Sequence, residues 1–90
     1  MEKTIWKYKI AITDRQIIEM PQETKILSVQ IQDNHVCLWC LIAPERTTFP
    51  RGIRIIGTGE PIEPGFDGIF IDTIQLNKDL EFHVFDEGFI

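Results

Sequence analysis

Apolar and polar residues alternate one by one through Thr4–Ile12, with Trp6, Tyr8, Ile10 and Ile12 on one side and Lys7 and Lys9 on the other. A period of two marks a β-strand with one face packed and one face wet. Thr13-Asp14-Arg15-Gln16 has the form of a helix capping box, but Pro21 cuts any helix short. The pattern therefore predicts a turn and a short strand that carries Ile18 and Met20 inward, with a one-turn helix as the rival. Lys25–Gln32 is the clearest strand: Leu27, Val29 and Ile31 alternate with Ser28, Gln30 and Gln32. Asp33-Asn34 supplies a two-residue turn, since both side chains tolerate positive φ.

His35–Ile42 is apolar on both faces, which predicts a central strand. Ala43-Pro44 ends it, and Glu45–Pro50 reads as a polar loop. A strand resumes over Arg51–Ile56 and stops at Gly57-Thr58-Gly59. Glu60–Gly65, with Pro61, Pro64 and Gly65, reads as a second loop that cannot continue a sheet. The last third predicts a hairpin: Asp67–Leu76, a turn at Asn77-Lys78-Asp79, and a return over Leu80–Asp86. In it Leu80, Phe82 and Val84 point inward and Glu81 and His83 outward. No stretch keeps a 3.6-residue period. The expectation is one all-β domain over residues 1–90: a small antiparallel β-sandwich or barrel of six to seven strands, with little or no helix.

Ninety residues support a single core. The longest apolar run, Val36–Ala43, is too short to span a bilayer. The first residues lack the apolar core of a signal peptide, which predicts a cytoplasmic protein. Net charge is −5, unevenly spread. Residues 1–56 hold eight Lys and Arg against six Asp and Glu, whereas residues 57–90 hold Lys78 alone against eight acids. An acidic segment disfavours duplex nucleic acid.

Cys37 and Cys40 spell C-x-x-C, but within a strand residues three apart point to opposite faces. They read as core cysteines, neither a metal nor a redox pair. His35 and His83 are the histidines, and Ser28, the one serine, lies mid-strand, so no nucleophile–base triad is supported. A metal site from His83, Asp72 and Glu81 would need all three on one face. The expectation is a non-enzymatic protein with no catalytic residue, no metal and no cofactor. The suggestive local feature is the Gly57-Thr58-Gly59 corner. Its backbone N–H groups and the Thr58 hydroxyl suit an anion, with Arg54 upstream to supply charge. Asp72, Glu81 and Asp86 are the candidate acidic protein-interaction residues. Apolar strand faces exceed what a core of this size absorbs, which predicts a homo-oligomer.

Thr4-Ile5-Trp6-Lys7, Ile26-Leu27-Ser28-Val29-Gln30, Leu38-Trp39, Ile56-Gly57-Thr58-Gly59 with Pro61, and Phe82-His83-Val84-Phe85 occur in this order along the chain. In these runs, over nearly its whole length, the sequence resembles an uncharacterised family of small proteins of tailed phages and prophages. Small or aliphatic residues stand at the Cys37 and Cys40 positions in that family. The resemblance implies a phage accessory protein working in the host bacterial cytoplasm. The expected role is counter-defence, an oligomer sequestering an anionic, nucleotide-like host signal. The alternatives are an acidic inhibitor docking on a host defence protein and a small virion or assembly component.

Overall fold

The computed structural model describes residues 2–90. The described residues form seven strands and no helix: β1 (Thr4–Ile10), β2 (Arg15–Pro21), β3 (Lys25–Gln32), β4 (His35–Ile42), β5 (Thr48–Gly57), β6 (Ile69–Asn77) and β7 (Leu80–Phe89). They form two antiparallel sheets, a three-stranded one ordered β1-β4-β3 and a four-stranded one ordered β2-β5-β7-β6. The all-β expectation holds. β4, apolar on both faces, is central in its sheet because every neighbour of a doubly apolar strand must cover it.

The inner faces meet in one core. Val36, Leu38, Cys40 and Ile42 of β4 join Ile10 and Val29 against Met20, Ile53, Ile55, Ile74 and Val84 from the other sheet. The β3 edge of one sheet runs beside the β6 edge of the other. Both β1 and β2 are edge strands on the opposite flank. Trp6 faces inward, paired with Cys40 across β1 and β4, yet remains 44% exposed because nothing closes the sandwich over it.

Short corners carry the chain between sheets. At β1–β2 the Gln16 side-chain amide donates to the Ala11 carbonyl (2.7 Å) and accepts from the Ala11 amide (3.1 Å). This mimics a backbone pair where the capping-box reading placed a rival helical turn. At β2–β3 Thr24 hydroxyl and amide both donate to the Pro21 carbonyl, and Glu23 takes a positive φ of 66°. Asp33 and Asn34 both have positive φ, 51° and 65°, the left-handed conformation these residue types tolerate.

Three expectations need correcting. In β3, Ile26 pairs with Cys40 and Ser28 with Trp39, so Leu27 is the extra residue of a bulge. The bulge hands the core-facing place to Ile26 and leaves Leu27 44% exposed, because one added residue flips the faces. Second, the polar loop is shorter than Glu45–Pro50, since Thr48, Phe49 and Pro50 already pair with β2. Pro50 is tolerated there because it stands at the last rung of the β5–β7 ladder, where its carbonyl still accepts from Ile90 and its missing N–H interrupts no further pairing. Third, Leu80 and Ile12, expected inside, are each 46% exposed; Leu80 opens β7 beside the hairpin turn and Ile12 lies in the β1–β2 corner.

A candidate ligand-binding face

On β5, Arg51 and Arg54 are three residues apart and so face opposite sides of their sheet. Both are buried. Arg51, on the inner side, donates to both Asp86 oxygens (3.1 and 2.5 Å) and to the Thr24 carbonyl, with its guanidinium 4.9 Å from the Phe89 ring centroid. It thus ties β5 and β7 to the β2–β3 corner. Asp86 is therefore an interior partner of Arg51, its side chain 13% exposed, and not the surface acid expected of it. Alternation from the inward Val84 puts Asp86 on the same inner face, opposite Ile53, and β7 continues past it through a bulge at Glu87.

Arg54 lies on the outer side beneath the long β5–β6 loop. Its Nε donates to Asp14 (2.9 Å), and Nη1 and Nη2 grip both oxygens of Glu63 (2.8 and 2.9 Å). Phe66 lies over the guanidinium, 5.2 Å away, and packs edge-on against Phe85. These carboxylates hold the Arg54 proton more firmly than usual. The fork to Arg54 brings Glu63 down to about 2 from an ordinary 4.5.

At the corner itself, the Thr58 hydroxyl is 2.8 Å from His83 Nε2 and 3.3 Å from Glu81 Oε1, while the Thr58 amide donates to the Glu81 carbonyl. His83 Nδ1 is 2.8 Å from the Thr73 hydroxyl. Gly57 is partly buried, Gly59 is exposed with φ 91°, and the Gly57 carbonyl accepts from Glu60. The fold does bring Arg54, Gly57, Thr58 and Gly59 to one region of the four-stranded sheet. Their polar groups are directed at Asp14, Glu63, Glu81 and His83. Asp72 and Glu81 are exposed, with Asp72 capping the Thr73 amide (2.7 Å). Among the described residues, no three His, Cys, Asp or Glu are grouped to hold a metal ion. Both cysteines are free and buried: Cys40 belongs to the core, and Cys37 sits on the other face of β4 between Lys9 and Gln30. Burial pushes the Cys40 thiol up to about 11 and raises the Tyr8 hydroxyl.

A different surface has the chemistry of a binding face. Cross-strand partners share a face, so the register places three rows on the outside of the three-stranded sheet: Ile5–Leu41–Lys25, Lys7–Trp39–Ser28 and Lys9–Cys37–Gln30. His35 and Gln32 extend it. Trp39 is central and half-buried, with Lys7 Nζ 5.7 Å from its ring and bonded to Gln32 Oε1 at 2.7 Å. The three strands contain no Asp or Glu. Among the described residues every arginine is in an ion pair and no lysine is. Three of the five lysines lie on this one face. Its signal was present in the sequence as the outward Lys7 and Lys9 and the carboxylate-free β1, β3 and β4; the pairing that gathers them around Trp39 was not.

The chain matches no curated protein and no solved structure. Residues 1–88 match the model of a domain of unknown function, DUF7352. With all but the last two residues covered by that match, the chain belongs to the DUF7352 family.

Proposed function

We propose that this is a non-enzymatic binding protein that holds an anionic, nucleotide-like ligand on the outer face of its three-stranded sheet. The observation that carries the reading is the Trp39 ring set among Lys7, Lys9 and Lys25 on strands without a carboxylate. An aromatic plane stacks on a base and unpaired ammonium groups meet phosphate. Strand geometry sets Lys7 and Lys9 about 7 Å apart, and puts β1 and β3 about 10 Å apart, the scale of one or two nucleotides. Lysines already held by carboxylates would have to lose those partners first; these three lose at most a glutamine. The resemblance to phage proteins supports a setting inside an infected bacterium, where sequestering a nucleotide signal is a counter-defence role.

Titration of tryptophan fluorescence in a Trp6→Phe background, with cyclic nucleotides, ADP-ribose derivatives and short single-stranded oligonucleotides, tests the reading. Quenching is expected for a phosphate-bearing member of the panel. Replacing Lys7 and Lys9 by Glu is expected to weaken it by about tenfold or more, whereas Thr58→Ala leaves it unchanged. Silence across the panel, or binding indifferent to the lysines, overturns it.

The exposure of Asp72 and Glu81 supports a second reading, docking on a basic patch of a host defence protein. Charge reversal at those two acids, with Asp86 left in place, would abolish a pull-down that depends on them.

A further inference from the structure

The four edge strands are not equally protected. β3 carries the Leu27 bulge, and β6 breaks register at Phe70/Asp72 and at Gln75/Asn77. β1 is regular but presents Lys7 and Lys9. Bulges and repeated lysines are the usual defences of a free edge. β2 has no bulge and no lysine and pairs without interruption from Arg15 to Pro21. Pro21, a residue that blunts an edge, stands at its far end beyond Glu19, which leaves Arg15–Glu19 open.

Its free edge has a defined chemistry. The Gln22 amide donates to the Thr47 carbonyl and the Ile55 amide to the Asp14 carbonyl. In an antiparallel ladder N–H and C=O of one residue point the same way and alternate along the strand. Even-numbered residues of β2 therefore serve β5, and Arg15, Ile17 and Glu19 turn their amides and carbonyls outward. The same three side chains lie on the outer face, opposite Arg54, Gly52 and Pro50. Ile17 is 63% exposed. Beside it a groove of about 650 Å³ is lined by Arg15, Gly52, Glu87, Phe89 and Ile90, with Ile90 itself 73% exposed.

We propose that β2 is a homodimer edge, pairing antiparallel with β2 of a second copy about a two-fold axis through Ile17. This goes beyond the ligand reading and does not depend on it, since it uses the other sheet. In that register Ile17 faces Ile17 of the other copy, and Arg15 faces Glu19 twice. All six outward amides find carbonyls. Arg15 gives Nε to Glu87 and Nη2 to Glu63, which leaves Nη1 for the incoming carboxylate. Any shift of register loses this charge match and unseats the isoleucines. A second copy is the occupant favoured by the outward row Arg15, Ile17 and Glu19, which is self-complementary when reversed. Two four-stranded sheets become one of eight, and the two apolar grooves join across the axis.

Sedimentation velocity tests it. The wild-type chain is expected at twice 10.5 kDa, and Ile17→Lys at the monomer mass with an unchanged circular dichroism spectrum. Glu19→Arg alone and Arg15→Glu alone set like charges face to face and are expected to be monomeric. Mixed together, they restore both Arg–Glu contacts and are expected to form a heterodimer. Slow amide exchange at Ile17 in the dimer, lost on dilution, is an independent mark of the same edge. A monomeric wild type, a dimer indifferent to Ile17→Lys, or two monomeric charge variants that fail to combine would each overturn the proposal.

Discussion

Arg51 and Asp86 meet fork to fork on the inner face of the four-stranded sheet, Nε to Oδ1 at 3.1 Å and Nη2 to Oδ2 at 2.5 Å. Side-chain exposure is 10% for the arginine and 13% for the aspartate. A buried ion pair contributes little net stability, because desolvation offsets attraction, but removing one partner strands the other. Asp86→Ala is thus expected to cost about 3–5 kcal/mol in urea unfolding. The double replacement Arg51→Met with Asp86→Leu is expected to cost less than that single change. A double variant that costs more would refute the stranded-charge explanation.

Glu63 gives the long loop an acid-sensitive latch. Its carboxyl is depressed to about 2 by Arg54, so the folded form favours the ionised state. That contribution is complete above the ordinary value of 4.5 and is lost as pH falls through about 2. Acid titration followed by NMR is expected to move the Phe66 ring signals of the folded protein with a midpoint at about 2. In Glu63→Gln the step disappears, and the Phe66 signals begin in shifted positions at neutral pH.

Cys40 sets the opposite limit. Its thiol is raised to about 11 from an ordinary 9.0, chiefly by burial. A folded value above the unfolded one means stability is intact below about 9 and drains as pH rises toward about 11. The alkaline decline in Tm is expected to be shallower in Cys40→Ala, whose Tm at neutral pH is lower because of the cavity left. An identical alkaline slope in the variant would remove Cys40 as its source.

The β3 bulge inverts what alternation predicts for two neighbouring residues. Ile26 packs against the core while Leu27 is 44% exposed. Ile26→Ala is expected to cost about 2 kcal/mol or more, and Leu27→Ala under about 1 kcal/mol. Chemical denaturation of the two variants checks the order; a costlier Leu27→Ala would place the bulge elsewhere.

The strands were legible because their information is local. Lys7 and Lys9 against Tyr8 and Ile10 set a period of two, and Asp33-Asn34 names its own turn. The bulge escaped because Ile26 and Leu27 are equally apolar, so composition cannot say which one is extra. The candidate site was hidden by distance along the chain. Arg54 is forty residues from Asp14, and nothing near the Gly57-Thr58-Gly59 corner announces that its arginine is already spoken for. Asp86 looked like a surface acid because its partner is Arg51, thirty-five positions away. Trp39 and its lysines come from three strands that only the register brings abreast.

The carboxylate-free sheet also gives the molecule an electric dipole moment that its net charge of −5 conceals. In the field of a polyanion the overall charge repels while the dipole feels a torque. Within a Debye length, about 8 Å in physiological salt, that torque turns the lysine-bearing side forward. The protein meets such a surface already oriented.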